Sequence, residues 1–267
     1  MLRFLVLASA LVALSLAAES KKNECHKGPS YWCQNDVIAT KCGVKSFCNI
    51  IKDGKIRFHP SVPKKTVEVG PPPVNVSFYY ESLCPGCRGV WRDQLYPTYQ
   101  KLASSGIVNF EFIPYGNAQE QPYGSSWYFT CQHGSAECLG NLIETCAIHY
   151  NPDASKIIPF LHCLEEYGPT QTNAQYCAGI AKIDYNTIYT CSEGDEGKQL
   201  EHRMALKTEA LNPPHQYVPW LTMNGQHTTA IQNGLSSNML ATICNAYTGA
   251  KPAACSQAKQ TICVKKH

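Results

Sequence analysis

The sequence predicts an α/β fold: a strand–helix–strand half and a strand–strand–helix half, separated by a helical insertion and preceded by a small cysteine-stapled unit. Three observations carry this. Residues 74–80 alternate apolar and polar, then run into Cys84-Pro85-Gly86-Cys87 and a helical pattern. Residues 107–116 alternate again and give a second strand. Residues 216–231 offer two short strands around Asn224-Gly225, a strong two-residue hairpin signal, and a last helical stretch follows.

The N-terminus sets the compartment. Arg3 precedes an unbroken apolar and small-residue stretch from Phe4 to Leu16, and Ser15-Leu16-Ala17 places small residues where a signal peptidase reads. Residues 1–17 therefore read as a cleavable signal peptide, too short to anchor the chain in a bilayer. No later segment reaches the roughly 20 apolar residues of a membrane span. Fifteen cysteines in 267 residues fit an oxidising route, and the odd count leaves at least one thiol outside intramolecular pairs. The formal charge of +3, or +2 without Arg3, is too small to point to nucleic acid. Nine histidines would make the surface distinctly cationic in acid.

Residues 23–51 form the first unit, with Cys25, Cys33, Cys42 and Cys48 as its staples. Two disulfides can hold a segment with too few apolar residues for a core of its own. Residues 52–73 are charged and proline-rich, ending in Pro71-Pro72-Pro73, and read as a stiff linker. The main domain is expected over 74–267.

Within it, Val74, Val76, Phe78 and Tyr80 share one strand face. A helix from about Pro85 carries Trp91, Leu95, Tyr99 and Leu102 near one side, with Pro97 expected to kink it or end it early. Helical patterns recur at 139–150, 155–167, 172–182 and 195–211, with Ser155 and Thr172 as expected N-caps, so residues 117–211 read as a helical insertion. A last helix is expected over 235–247. This order is that of the thioredoxin-like fold, with an insertion similar to that of the bacterial periplasmic disulfide oxidases.

The chemistry is expected at Cys84 and Cys87. Cys84 stands where strand gives way to helix, and the free N–H groups and dipole of a helix N-terminus favour a thiolate. Pro85 suits the first helical position, Gly86 admits another backbone, and Cys87 lies one turn on. The attacking sulfur must also be reachable. At pH 5 a thiol of pKa about 8.5 is ionised to roughly three parts in ten thousand. A pKa near 5 raises that about a thousandfold, and lower nucleophilicity returns about one and a half decades, leaving a gain of about thirtyfold. Pro219 in Tyr217-Val218-Pro219-Trp220 is expected in the cis form facing the dithiol, turning Val218 towards a substrate strand. A zinc site would need a second C-x-x-C pair, and the sequence has one. A permanent structural disulfide is the other alternative; the strand-to-helix placement with Pro219 favours a working dithiol.

"CQHGSAECLGNLIETC" at 131–146 matches, at every spacing, the signature C-Q-H-G-x2-E-C-x2-N-x4-C of the gamma-interferon-inducible lysosomal thiol reductases. "YGNAQEQ" and "PPHQYVPW" resemble further blocks of that family, and residues 25–48 resemble a saposin A-type domain, a departure from the family's vertebrate pattern. The resemblance implies a thioredoxin-fold enzyme that reduces disulfides of unfolded or endocytosed proteins in acid. Cys84 is then the nucleophile and Cys87 the resolving thiol. Cys131, Cys138 and Cys146 are expected to be structural, with His133 placed to tune Cys84. Nine cysteines outside the head and the dithiol make four disulfides and one leftover thiol the simplest count. No metal or cofactor is expected, only an external small-thiol reductant. Asn75 in Asn-Val-Ser is the sole glycosylation sequon. The expected location is the secretory route, ending in lysosome or endosome, or secretion. The rival readings are an oxidase or isomerase of the early secretory pathway, and a lipid- or protein-binding module built on the head.

Overall fold

The computed structural model describes residues 29–52 and 70–258. The expected signal peptide, Cys25, most of the linker and Cys263 lie outside the described residues. The chain divides into two compact units, Met1–Glu68 and Val69–His267.

In the first unit three short helices run over Pro29–Trp32 (α1), Asp36–Lys41 (α2) and Lys45–Lys52 (α3). Asn35 caps α2, its Oδ1 accepting the Ile38 N–H at 3.0 Å. Cys33 is bonded to Cys48, which is buried, and Cys42 is also disulfide-bonded. With few apolar groups to bury, crosslinks take over the role of a core.

The second unit is built on a three-stranded sheet in which β1 (Val74–Tyr80) lies between β2 (Val108–Pro114) and β5 (Trp220–Met223). Strand β1 (Val74–Tyr80) buries Val74, Val76, Phe78 and Tyr80, the alternate residues that the pattern assigns to one face. Strand β2 (Val108–Pro114) pairs parallel to it, from Val74 opposite Val108 to Tyr80 opposite Pro114. Between them runs a helix in three parts: α4 (Pro85–Val90), a wider π-turn (Trp91–Leu95) and α5 (Tyr96–Leu102). The helix does not end at Pro97. The π-turn immediately before the proline redirects the Tyr96 N–H to the Trp91 carbonyl, changing the register where Pro97 has no N–H to give. Trp91, Leu95 and Leu102 are fully buried; Tyr99 is only partly so.

Trp91 centres the core. Its ring stacks on Phe112 at 4.9 Å and meets Phe78 and Tyr80 edge-on, each at 6.0 Å.

The insertion opens not on a helix but on a hairpin, β3 (Gln119–Tyr123) with β4 (Ser126–Thr130). Strand β3 is polar and mostly exposed and carries no apolar alternation, while the aromatic β4 is too short to stand out as a strand on its own. Helices α6 (Ser135–Tyr150), α7 (Ala154–Tyr167), α8 (Gln171–Ala181), α9 (Tyr185–Glu193) and α10 (Asp195–Glu209) follow. The expected caps at Ser155 and Thr172 are two residues late: Asp153 and Thr170 accept the capping N–H groups, and α9 was not foreseen. Disulfides Cys146–Cys191 and Cys163–Cys177 tie these helices together.

Strand β5 (Trp220–Met223) runs antiparallel to β1, with Tyr79 opposite Trp220. The second arm of the expected hairpin does not form. Asn224 and Gly225 do turn the chain in the left-handed region, but only Met223 and Gln226 pair across it. Asn224 is instead bound to Asn75, and Thr228 caps a helix that starts at once. That helix, α11 (Thr229–Ala246), begins six residues before the expected Leu235 and carries a break at Asn238. A short α12 (Ala253–Ala258) is bonded to it through Cys244–Cys255.

Replacing Trp91 with Ala empties the point where helix and both parallel strands meet. The expected loss is about 3–5 kcal/mol in urea unfolding; a loss below about 1 kcal/mol would show that the core does not rest on this ring.

Candidate active site

Because β5 is antiparallel to β1, its first residues lie at the C-terminal end of β1, where α4 begins. The Val218–Pro219 bond is cis, as expected. A Cβ added to Gly86 would stand 3.2 Å from Pro219 Cδ and 3.9 Å from Cys84 Sγ, so a glycine lets the turn and the proline close on each other. Gln232 of α11 fixes this segment from behind: its amide donates to the Pro219 carbonyl at 3.0 Å and accepts the Leu221 N–H at 2.9 Å. Among the described residues no hydrogen bond occupies the Val218 N–H or C=O.

Cys84 is the N-cap residue of α4, with Pro85 in the first turn. Both thiols of the motif are free. Cys84 keeps 8% of its surface exposed and Cys87 none, so the outer sulfur is more enclosed than an open nucleophile would be, but it is the reachable one. The Cys84 thiol is lowered to about 6. The hydrogen bond from the Cys87 thiol contributes most, burial opposes it, and the N–H groups of Cys87 and Gly86 and the His133 charge add to the lowering. Burial pushes Cys87 far up, and the neighbouring Cys84 charge adds to that. One sulfur is prepared to be an anion and the other to stay a thiol.

The signature at 131–146 forms one wall. Cys131 is bonded to Cys138, and Gln132 accepts the Asn117 side-chain N–H at 2.8 Å. His133 Nδ1 contacts Glu137 Oε2 at 2.5 Å, and the Glu137 Oε1 accepts the His133 N–H at 3.0 Å. Asn141 Oδ1 accepts the Ser82 N–H at 3.1 Å, pinning the turn that leads into Cys84. Sequence reasoning had no role for Asn141, and it missed Glu81, whose carboxylate accepts the Asn117 N–H at 2.7 Å. Glu81, His133 and Glu137 bring ligand atoms within 4.8 Å of one another. The His133–Glu137 hydrogen bond accounts for the closest contact in that group.

Beneath the dithiol, Tyr80 donates to Glu144 at 2.5 Å, and Arg88 donates to the Glu165 and Glu166 carbonyls at 2.6 and 3.1 Å. Burial lifts Glu144 to about 8 and Glu165 well above its ordinary range. Both are neutral in acid. No pattern in the sequence distinguishes these two glutamates from surface ones.

Residues 75–181 match the family model of the gamma interferon inducible lysosomal thiol reductases, and residues 22–50 match the saposin A-type domain. The gamma-interferon-inducible lysosomal thiol reductase of Carassius auratus is 42% identical over 257 residues, 96% of this chain and 94% of that protein. The chain belongs to the gamma-interferon-inducible lysosomal thiol reductase family. It is a thiol–disulfide oxidoreductase with protein-disulfide reductase activity and a thioredoxin-like fold. The Mus musculus reductase is 36% identical over 200 residues, covering 73% of this chain and 77% of that one. The Carassius alignment is long enough to take in the head, whereas the Mus musculus alignment covers 73% of this chain. Among solved structures, Chlamydia trachomatis DsbA aligns over 69% of this chain and 95% of that one, with a TM-score of 0.47 and 12% identity. No helix among the described residues is long and apolar enough to cross a membrane.

The buried acids make stability depend on pH. Glu81, raised by burial to about 7, contributes stability that is fully present below its unfolded value of 4.5 and lost as pH rises through 7; Glu144 acts in the same sense through 8. Cys84 acts oppositely, since its lowered thiol adds stability towards high pH that is lost as pH falls through about 6. In Cys84→Ser that opposing contribution is gone, so unfolding free energy should drop by several kcal/mol between pH 5 and pH 8. Equal or greater stability at pH 8 in denaturant titrations would contradict the burial of these carboxyls.

Proposed function

We propose that this reductase works in acid, with Cys84 as the nucleophile and Cys87 as the resolving thiol, on disulfides of unfolded or partly unfolded proteins. The observation that supports it best is the opposite ionisation of the two thiols at one helix start. Cys84 thiolate attacks a substrate disulfide, forming a Cys84–substrate disulfide and releasing the other substrate sulfur as a thiolate that takes up a proton. Cys87 then loses its proton and attacks Cys84 Sγ. The second substrate sulfur leaves, and the pair ends as a disulfide. Two equivalents of an external small thiol restore the dithiol and are themselves oxidised to a disulfide. No cofactor takes part.

With a pKa of about 6, Cys84 is ionised to about one part in ten at pH 5. Against an ordinary thiol this is a gain of about 300-fold in thiolate and, after the loss of intrinsic nucleophilicity, about twentyfold in rate. The unoccupied N–H and C=O of Val218, next to Pro219, suit an extended substrate segment laid beside the dithiol. The relatives' names, the cysteine usage and the N-terminal apolar stretch support the secretory route, with the lysosome or endosome as destination or secretion as outcome. Asn75 is exposed at the start of β1, its Oδ1 accepting from Asn109 at 3.1 Å, and is the proposed glycan site.

A reductase assay on a disulfide-bonded protein from pH 4 to pH 8 tests this reading. Cys84→Ser should lose at least about a thousandfold in rate, and Cys87→Ser should accumulate the mixed disulfide. Wild type should be fastest below neutrality, and deletion of residues 25–60 should leave reduction intact. Full turnover by Cys84→Ser would overturn the assignment of the nucleophile; an optimum above pH 7 would overturn the acid reading.

A further inference from the structure

Beside Cys84 lies a charged cluster that the disulfide cycle does not itself use. Glu81 is fully buried. Its Oε1 accepts the Asn117 N–H, while its Oε2 has no hydrogen-bond partner and faces His133 Nδ1 at 3.5 Å. Glu137, also fully buried, grips His133 from the other side through ring and backbone. One imidazole nitrogen thus faces two buried carboxylates from different parts of the chain. The room for Glu81 is made by Gly116, at φ +60°, where a Cβ would stand 2.5 Å from Glu81 Cγ. The site is built around this side chain.

Counting charges shows what the cluster does. One imidazolium balances one carboxylate, and Glu137 holds it by the short contacts. A second ionised carboxylate would be a buried, uncompensated charge. Glu81 is the one with an orphan oxygen, and a proton there both removes the charge and supplies a donor. A thiolate on Cys84 makes ionising Glu81 harder still, since two anions would then share one cation.

We propose that Glu81, held between His133 and Asn117, is the positioning residue that biases Cys84 towards acid: it is neutral while the sulfur carries the negative charge, and its own ionisation opposes the thiolate. The inference rests on the acid-reductase reading and names the residues that regulate it. Burial lifts Glu81 to about 7, and both Glu137 and Cys84 add to the rise, against the Asn117 N–H and His133. His133 is drawn down by burial, but the hydrogen bond and charge of Glu137 and the charges of Glu81 and Cys84 raise it on balance. The other groups facing Cys84 are the Cys87 thiol on its own helix and Glu165 on α7, beside Arg88 and Glu144. Cys87, Glu165 and Glu144 are neutral in acid and supply no competing charge there.

Coupling of this kind is reciprocal. Glu81→Gln keeps the acceptor for Asn117 and removes the charge that appears towards neutral pH. The ratio of kcat/KM at pH 7 to that at pH 5 should rise over wild type, by up to about twofold, because a thiol half-ionised near pH 6 is already mostly thiolate at pH 7. His133→Gln removes the cation, and kcat/KM at pH 5 should fall about three- to tenfold. A Glu81→Gln profile that superimposes on wild type overturns this inference alone; a wild type without acid activity overturns the reading beneath it. A carbon-13 NMR titration of Glu81 in the wild-type chain covers the case of a misfolded variant. Its carboxyl should titrate at lower pH once Cys84 and Cys87 are bonded, because the thiolate is gone. The same titration in both redox states would overturn the coupling.

Discussion

The structure depends on where one negative charge can rest. Cys84 stands at the start of α4, with a thiol hydrogen bond from Cys87, two backbone amides and the His133 cation favouring its thiolate against the cost of burial. Each other feature of the site either supplies one of those groups or holds one in place. The Trp91 core fixes α4 on the parallel pair β1 and β2. The antiparallel β5 delivers Pro219 against Gly86, where a Cβ would stand only 3.2 Å from the proline ring.

The insertion turns a general scaffold into this particular site. From it come Asn117, His133, Glu137, Asn141, Glu144 and Glu165, and each contacts the turn before Cys84, the acid cluster beside it or the floor below. Two disulfides inside the insertion and one across the Cys131–Cys138 loop keep these donors in register. The buried carboxyls also explain why acid suits the molecule as a solid object: protonation removes charges that the interior holds poorly. Conditions that favour the fold and conditions that favour the proposed chemistry therefore coincide.

Much of this was legible beforehand because it depends on short-range pattern. The alternation at 74–80 and the cysteines after it define the strand, the turn and the helix start. The signature at 131–146 identifies the family. What escaped depends on partners far apart in sequence. Nothing local marks Glu81 as buried, since its environment comes from Gly116, Asn117 and His133. The second arm of the hairpin looked sound because Asn224-Gly225 does form its turn; helix capping by Thr228 then takes the chain that the arm would need. Pro97 interrupts the helix without ending it, because a π-turn accommodates the missing N–H.

The most direct measurement is the ultraviolet thiolate absorbance of the reduced wild-type chain as a function of pH, with Cys84→Ser as the blank. The account predicts a single sulfur half-ionised near pH 6, with Cys87 silent throughout the neutral range. A first thiolate emerging only above about pH 8, where an unassisted cysteine ionises, would contradict it.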